Sequence, residues 1–134
     1  MRGQTAFEYL MIFSIVLILV VILTAYSGQL TKRNEEDIRI SNAIAAVNKI
    51  TEAANIVNTQ GKPSLLTLSV YIPEEVDSIT FSGNVILIKV RIASGLSDIF
   101  ARSKATLQGS ISTTSGMKKI KVIAEDNYVN ITEG

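Results

Sequence analysis

The sequence has no cysteine and no histidine. Without thiols there is no disulfide framework and no thiolate chemistry. Without imidazole, the commonest general base and the commonest metal ligand are both missing. Proline occurs twice and tryptophan not at all. Thirteen lysines and arginines almost balance twelve aspartates and glutamates, leaving a net charge of +1. No basic cluster argues for nucleic acid. There is no glycine-rich phosphate loop, no pair of carboxylates in an apolar setting and no nucleophile beside a base, so no catalytic residue, cofactor or enzyme activity is expected. Asp126 with Asn127 and Asn130 comes nearest to a metal motif, but it lacks the spacing and terminal glutamate of a calcium loop, and no metal ligand is assigned.

What the chain does contain is concentrated at its start. Tyr9 to Leu30 is an uncharged stretch of 22 residues, free of Pro throughout and of Gly as far as Ser27. A helix needs roughly 20 residues to cross the hydrocarbon core of a bilayer. This one would be apolar all round, which requires burial on every side, in lipid or in protein. One carboxylate, Glu8, stands at its front edge, where folding alone gives no reason for a charge.

Three readings of this segment compete. A secretory signal peptide has a positive start, a shorter apolar core and a small-residue cleavage site after it; here the start is the single Arg2, and Tyr26-Ser-Gly-Gln is only weakly site-like. A plain bitopic anchor is not oriented by charge, because Arg2 lies on one side and Lys32, Arg33 and Arg39 on the other. The third reading accounts for more residues. Arg2-Gly3-Gln4-Thr5-Ala6-Phe7-Glu8-Tyr9-Leu10 resembles the class III signal peptide of archaeal type IV pilins and archaellins. That family has a short basic leader ending in Gly, then Gln, a Glu four residues later, and a long hydrophobic helix. The resemblance implies cleavage between Gly3 and Gln4 by a prepilin-type peptidase. It makes Gln4 the first mature residue and Glu8 the fifth. An unpaired carboxylate at apolar depth costs several kcal/mol, so Glu8 is expected to pair with the new α-amine of Gln4, on the same chain or a neighbour; the alternative is a Glu8 solvated at the headgroup level, where the macrodipole also favours it. The resemblance further implies a helical homopolymer as the assembled state, the membrane as partner before assembly, and a pilus assembly ATPase and membrane platform protein to drive the change.

Cleavage before the apolar segment, rather than after it, leaves that segment on the mature protein. The rod can then wait in the membrane and later be enclosed by copies of itself. Burying a Leu- or Ile-sized side chain from water is worth about 1.5–3 kcal/mol. Against lipid the gain is far smaller, so packing and an assembly machine must drive extraction.

After Leu30 the composition changes. Thr31-Lys-Arg-Asn-Glu-Glu-Asp37 is charged and reads as a solvated face, with Gly28 just before it as a flexible point. Ile40, Ala43, Ile44, Val47, Ile50, Ala54 and Val57 then recur at steps of three and four, opposite Asn42, Lys49, Glu52 and Asn55, which predicts an amphipathic helix. It should end near Asn58 to Gly61, because Pro63 disfavours helical geometry at Lys62. A helix from Gln4 to Thr59 would be about 80 Å long at 1.5 Å per residue.

From Leu65 the period changes to two. Leu66, Leu68, Val70 and Ile72 alternate with polar residues. Ile79 and Phe81 follow, Ser82-Gly83-Asn84 signals a hairpin, and Val85 to Ile92 is a strongly apolar strand. Leu107 and Ile111 mark a weaker strand. In Met117 to Ile123, Ile120 and Val122 face one way, Lys119 and Lys121 the other. Glu125-Asp-Asn127 turns into Tyr128-Val-Asn-Ile131. Glu74, Glu75 and Asp77 sit by a turn and are expected to be solvated. Asn130-Ile131-Thr132 is an N-glycosylation acceptor pattern.

The expected fold class is α+β: a long N-terminal helix, apolar in its first half, followed by a small antiparallel β-sheet or β-sandwich. The expected organisation is a leader over 1–3, a helix over 4–60 (4–30 transmembrane or filament core, 31–60 amphipathic) and a β-rich domain over 64–134. A domain that small is marginal alone, and the helix stripe should complete its core. The expected function is a structural subunit of an extracellular pilus-like filament for surface attachment, held in the cytoplasmic membrane as precursor. The alternatives are an archaellum subunit, or a non-polymerising, membrane-anchored minor pilin whose β domain binds a ligand.

Overall fold

The computed structural model describes the backbone of residues 1–134 and every side chain except that of Arg2. One helix, α1 (Arg2–Gln60), is followed by seven strands: β1 (Leu65–Ile72), β2 (Val76–Ser82), β3 (Val85–Ile92), β4 (Gly95–Arg102), β5 (Leu107–Ser110), β6 (Gly116–Ala124) and β7 (Val129–Glu133). The arrangement is α+β. Two compact units divide within α1, Met1–Glu36 and Asp37–Gly134. The back of the helix therefore belongs to the β-rich unit. Gly61 ends α1 in the left-handed region (φ 74°), its N–H donating to Val57 O at 2.9 Å, a left-handed cap in which glycine avoids a Cβ clash.

The strands form two sheets. The four-stranded sheet has the order β1-β6-β7-β5, and the three-stranded sheet is the meander β2-β3-β4. An antiparallel sheet or sandwich is the expectation, and all pairs but one are antiparallel. The exception is β5 with β7, which are parallel. It arises because the C-terminal strand inserts between β6 and β5, so the chain's last strand holds an interior place in the sheet.

Inner-facing residues of both sheets and of α1 share one core. Ala43, Val47, Ile50, Ala54 and Val57 of α1 pack with Val70, Ile72, Ile86, Ile88, Val90, Ile120, Val122 and Ile131, all of them buried. Burying each larger aliphatic side chain contributes about 1.5–3 kcal/mol. Two details differ from the expected stripe. Ile44 remains 44% exposed, and Ala46 and Ala53 are buried in its place. The stripe is thus rotated towards small residues.

Asn55 is not a solvated polar residue. Its Oδ1 accepts from Ser103 Oγ (2.9 Å) and from the Lys104 N–H (2.8 Å). Ser103 in turn exchanges bonds with Asn84, accepting from the Asn84 amide and donating its own N–H to Asn84 O. Helix, β2–β3 hairpin and β4–β5 loop are thereby tied together.

The element absent from the sequence reading is β4. Its residues mix the usual pattern: Ile99 is buried and Asp98 exposed, but Leu96 and Phe100 face out while Ser97 and Ala101 face in. The alternation signal cancels, and only pairing with β3, from Ile92–Gly95 to Val85–Arg102, makes it a strand.

Gly109 is the glycine that the fold requires. It lies opposite Ile131 in the parallel pair, at φ 137°, and a Cβ there would sit 1.8 Å from Ile131 O. Gly109→Ala is expected to cost several kcal/mol, roughly the upper range for a single substitution. Amide hydrogen exchange should show early opening of β5 and β7. Among the described residues, Thr51 Oγ1 is the buried side-chain polar atom without a hydrogen-bond partner. Thr51→Val removes that stranded hydroxyl at nearly constant shape and is expected to stabilise the β-rich unit by about 1 kcal/mol, read as a higher unfolding midpoint for Tyr71 and Tyr128 near-ultraviolet dichroism.

Candidate functional site

The N-terminal unit is helix and nothing else. Within it the large apolar side chains from Phe7 to Leu30 are all exposed, from 72% at Tyr9 to 45% at Leu30. The segment is long and apolar enough to cross a membrane, and its most apolar window is 0% buried. Exposed apolar surface on this scale marks a site of interaction with lipid or protein.

Three hydroxyls within the rod are satisfied internally. Ser14 Oγ donates to Leu10 O at 2.7 Å, Thr24 Oγ1 to Val20 O, and Thr31 Oγ1 to Ser27 O at 3.1 Å. Each bonds back to the carbonyl one turn earlier, so these hydroxyls need no water. A helix also satisfies its own backbone, which an apolar medium demands. α1 runs through Gly28 without a break, and no neighbouring group comes within 4 Å of where its Cβ would be.

Gly3, Gln4 and Glu8 all lie in the first two turns of α1. Thr5 Oγ1 donates to Met1 O at 3.0 Å, which spans the Gly3–Gln4 bond. Gln4 and Glu8 are four residues apart and so occupy one face, a single turn from each other. Glu8, with Thr5, Tyr9 and Ile12, lines a shallow depression of about 240 Å3. No ion pair engages its carboxylate among the described residues. The first two turns thus place the Glu8 carboxylate, without a counter-charge among the described residues, one helical turn from Gln4.

Asn130 lies elsewhere, in β7, paired on one side with Ile123 and on the other with Gln108. Its side chain is half-buried on the outer face, between the buried Val129 and Ile131. The acceptor triplet is held in a strand bonded on both sides, and the site residues at the N-terminus and Asn130 fall in different units.

Several charged groups outside the rod are paired. Lys62 Nζ lies 3.4 Å from Asp126 and 3.6 Å from Glu125, and its pKa is raised, chiefly by the hydrogen bond to Asp126. Asp126 therefore serves a lysine. No group of three or more potential ligands able to hold a metal occurs among the described residues. Arg91 bonds Asp77 at 3.0 Å, so Asp77 is engaged, while Glu74 and Glu75 are exposed as expected. A groove of about 560 Å3 lies between α1 and β4, lined by Asn48, Glu52, Asn55, Ile56, Ala101 and Arg102 among others. No local pattern signalled that groove, because α1 forms most of its wall and the unrecognised β4 closes it with Ala101 and Arg102.

Comparison with protein-family models, with curated proteins and with solved structures returns no match.

Glu133 anchors the other end of the sheet. Its Oε1 takes a 2.8 Å bond from Lys118 Nζ, and its Oε2 accepts the Ser112 N–H at 3.1 Å. The Lys118 bond, then the Ser112 bond, hold its carboxyl below the ordinary value of 4.5. A lowered carboxyl pKa contributes stability above the unfolded value that is lost as pH falls through the folded one. Glu133→Gln is therefore expected to weaken the wild-type advantage at neutral pH and leave little difference in acid below that range. Hydrogen exchange of β6 amides at the two conditions checks this.

Proposed function

We propose that the chain is the structural subunit of a type IV pilus-like filament for surface attachment, assembled through its apolar N-terminal helix after removal of Met1 to Gly3. One observation carries the reading: an apolar first half of α1, none of it covered, with one acid at its front edge that has no ion-pair partner among the described residues and lies one turn from Gln4. A membrane anchor has no use for that acid. A bundled rod does, because a free α-amine at Gln4, on the same chain or a neighbour, gives Glu8 a counter-charge. An unpaired carboxylate at apolar depth costs several kcal/mol, so the pairing selects the arrangement in which copies meet.

Before assembly the rod would rest in the cytoplasmic membrane with Glu8 near the headgroups. The macrodipole favours an acid in these first turns. The Gly3–Gln4 bond lies in helical backbone that a peptidase must open. Glycine lowers that cost by about 1 kcal/mol relative to alanine. The peptidase, an assembly ATPase and a platform protein are partners implied by the resemblance of Arg2 to Leu10 to class III signal peptides. In the filament the rods would form the core and the β-rich units its surface. Asn130, on the outer face of β7, is the proposed glycosylation site, with modification before the strand is locked into its sheet.

The groove between α1 and β4 favours a second reading, a non-polymerising, membrane-anchored subunit that binds a ligand with its β-rich unit. The two part at the N-terminus, because that reading requires neither cleavage nor Glu8.

Intact-mass measurement of protein from its native host is expected to show loss of Met1 to Gly3, and electron microscopy to show filaments. Glu8→Ala is expected to insert in the membrane at wild-type level and to reduce filament yield at least about tenfold, the change that accompanies roughly 1.4 kcal/mol. Retention of Met1 together with a dispersed wild-type protein, or a normal filament yield from Glu8→Ala, would overturn the proposal.

A further inference from the structure

The two sheets leave two strand edges open. β2 and β5 adjoin on one side of the unit, where the Leu107 N–H donates to Gly83 O at 2.7 Å. The remaining edges are β1 and β4, which flank the back of α1. The Ser103 N–H bonds to Asn84 O, and the Arg91 N–H of β3 turns away from β4 to Glu75 O. Ladder alternation then directs the backbone groups of Ser97, Ile99 and Ala101 to β3, and those of Leu96, Asp98, Phe100 and Arg102 to the free edge. The side chains of these last four stand on the outer face and are exposed, Phe100 by 65% and Leu96 by 50%. Free edges are normally blunted by charge or proline. β4 has no proline, and its two charges, Asp98 and Arg102, are of opposite sign and share one face. Asp98 lies 3.9 Å from Lys89. Arg102 forms no ion pair among the described residues, not even with Glu52 in the groove that both line.

The placement of those charges makes the edge complementary to itself. An antiparallel copy can meet it only where edge-directed residues face edge-directed residues, which leaves a short set of two-fold registers. With Asp98 opposite Asp98, like charges stand directly across, which is destabilising. With Ser97 or Ile99 on the axis, Asp98 meets Leu96 or Phe100, and no charge is matched. With Phe100 opposite Phe100, Asp98 of each copy meets Arg102 of the other, and an aromatic pair lies on the axis. One step further would set Asp98 opposite Lys104, whose N–H is already taken by Asn55 Oδ1 at 2.8 Å. The same bond stops the pairing at Arg102, so each copy contributes Asp98 to Arg102.

We infer that β4 is a docking edge for a second copy of this chain, paired antiparallel over Asp98 to Arg102 with Phe100 on the two-fold axis. The pairing gives the outward Phe100 of β4 a partner that the single chain lacks. Phenylalanine and arginine together are the composition of an interface centre rather than of a solvated edge. On the inner side, Ala101 borders the groove of about 560 Å3 between α1 and β4, which leaves room for Ile99 and Ala101 of an added strand. β1 is the other open edge. The Ala124 N–H bonds to Ser64 O, so alternation directs Leu65, Thr67, Ser69 and Tyr71 to that edge. They carry no charge, and a copy of β1 could slide by two residues without any like or unlike charge opposing it. The depression between β1 and α1 is about 240 Å3, and the inward residues that an added β1 would bring, Leu66, Leu68 and Val70, are larger. The inference goes beyond the filament reading and needs only the folded β-rich unit of the full chain. Copies related by a two-fold are not successive subunits of a polar filament, so in that setting the pair would join one filament to another.

The test uses the full-length protein in a neutral detergent and residue-resolved amide hydrogen exchange over a range of protein concentrations. The N–H groups of Asp98, Phe100 and Arg102 are expected to exchange fast when dilute and to become protected as concentration rises. Those of Ile99 and Ala101, directed to β3, should be protected throughout and verify that each variant is folded. Asp98→Arg and Arg102→Asp should each raise the concentration needed for half-protection about tenfold or more. An equimolar mixture of the two variants should restore it, because every contact across the pair then joins opposite charges. Thr67→Asp with Ser69→Asp charges the β1 edge beside Lys121 and Lys119 and should change nothing at β4. The inference is overturned if the edge amides of the wild type stay fast at every concentration, the result expected where the rods alone associate or the edge serves a strand of another protein. A mixture no better than either variant alone, or protection lost in the β1 variant, also overturns it. Neither cleavage after Gly3 nor filament yield enters these readings, so the filament proposal and this one fail separately.

Discussion

An apolar helix that covers none of its own surface is the constraint from which everything else follows. The side chains from Phe7 to Leu30 are exposed in the isolated chain, and no fold of the remaining residues covers them. Water is excluded as their environment by the hydrophobic effect alone, at about 25 cal/mol per Å2 of apolar surface. Hydrocarbon and apolar protein surfaces are both compatible with them. The internal bonds of Ser14, Thr24 and Thr31 suit both equally. Neither medium is preferred by the apolar residues themselves, because lipid tails are as apolar as leucine. The choice is left to packing and to the few polar groups at the rod's ends.

The β-rich unit meets a different constraint. Two small sheets cannot bury enough surface alone, and the back of α1 supplies the missing layer with Val47, Ile50, Ala54 and Val57. Asn55 then ties that layer to the β4–β5 loop through two donors on one oxygen. The C-terminal strand is inserted between β6 and β5, and Gly109 admits it by having no side chain where Ile131 O passes. The sheet is therefore closed by its last residues. The pairing of Glu133 with Lys118 and the Ser112 N–H secures that closure at the edge of the core.

The long helix, its apolar first half, its amphipathic second half and six of the seven strands could be read from the sequence, because each had a strong period. Ile120 and Val122 inward with Lys119 and Lys121 outward is also as the alternation indicated. What escaped has a common cause. β4 carries Leu96 and Phe100 on its outer face and Ser97 and Ala101 on its inner one, so tertiary pairing overrode local pattern. The parallel β5–β7 pair and the role of Gly109 are long-range facts of register, which no local window contains. Asn55 looked solvated because its partners, Ser103 and Lys104, are distant in the chain. At the N-terminus the sequence supplied residue types and spacing, and the structure adds that Glu8 stands one turn from Gln4 with no partner among the described residues. The groove beside β4 was invisible for the same reason that β4 was.

Strength and register in a bundle of such rods come from different groups. Sliding one apolar helix along another changes little, since Ile, Val and Leu recur at nearly every position from Leu10 to Leu23. Dispersion and packing would hold rods together at many offsets. A carboxylate distinguishes between offsets. Beside a counter-charge a carboxylate is tolerated; one turn out of place, it would be left unpaired in an apolar medium, at several kcal/mol. The same acid is tolerable at a membrane surface, where headgroups and water reach it. In the proposed filament, a single charge would therefore leave a membrane-held state undisturbed and still disfavour misaligned copies, a role that the apolar residues of the rod could not supply.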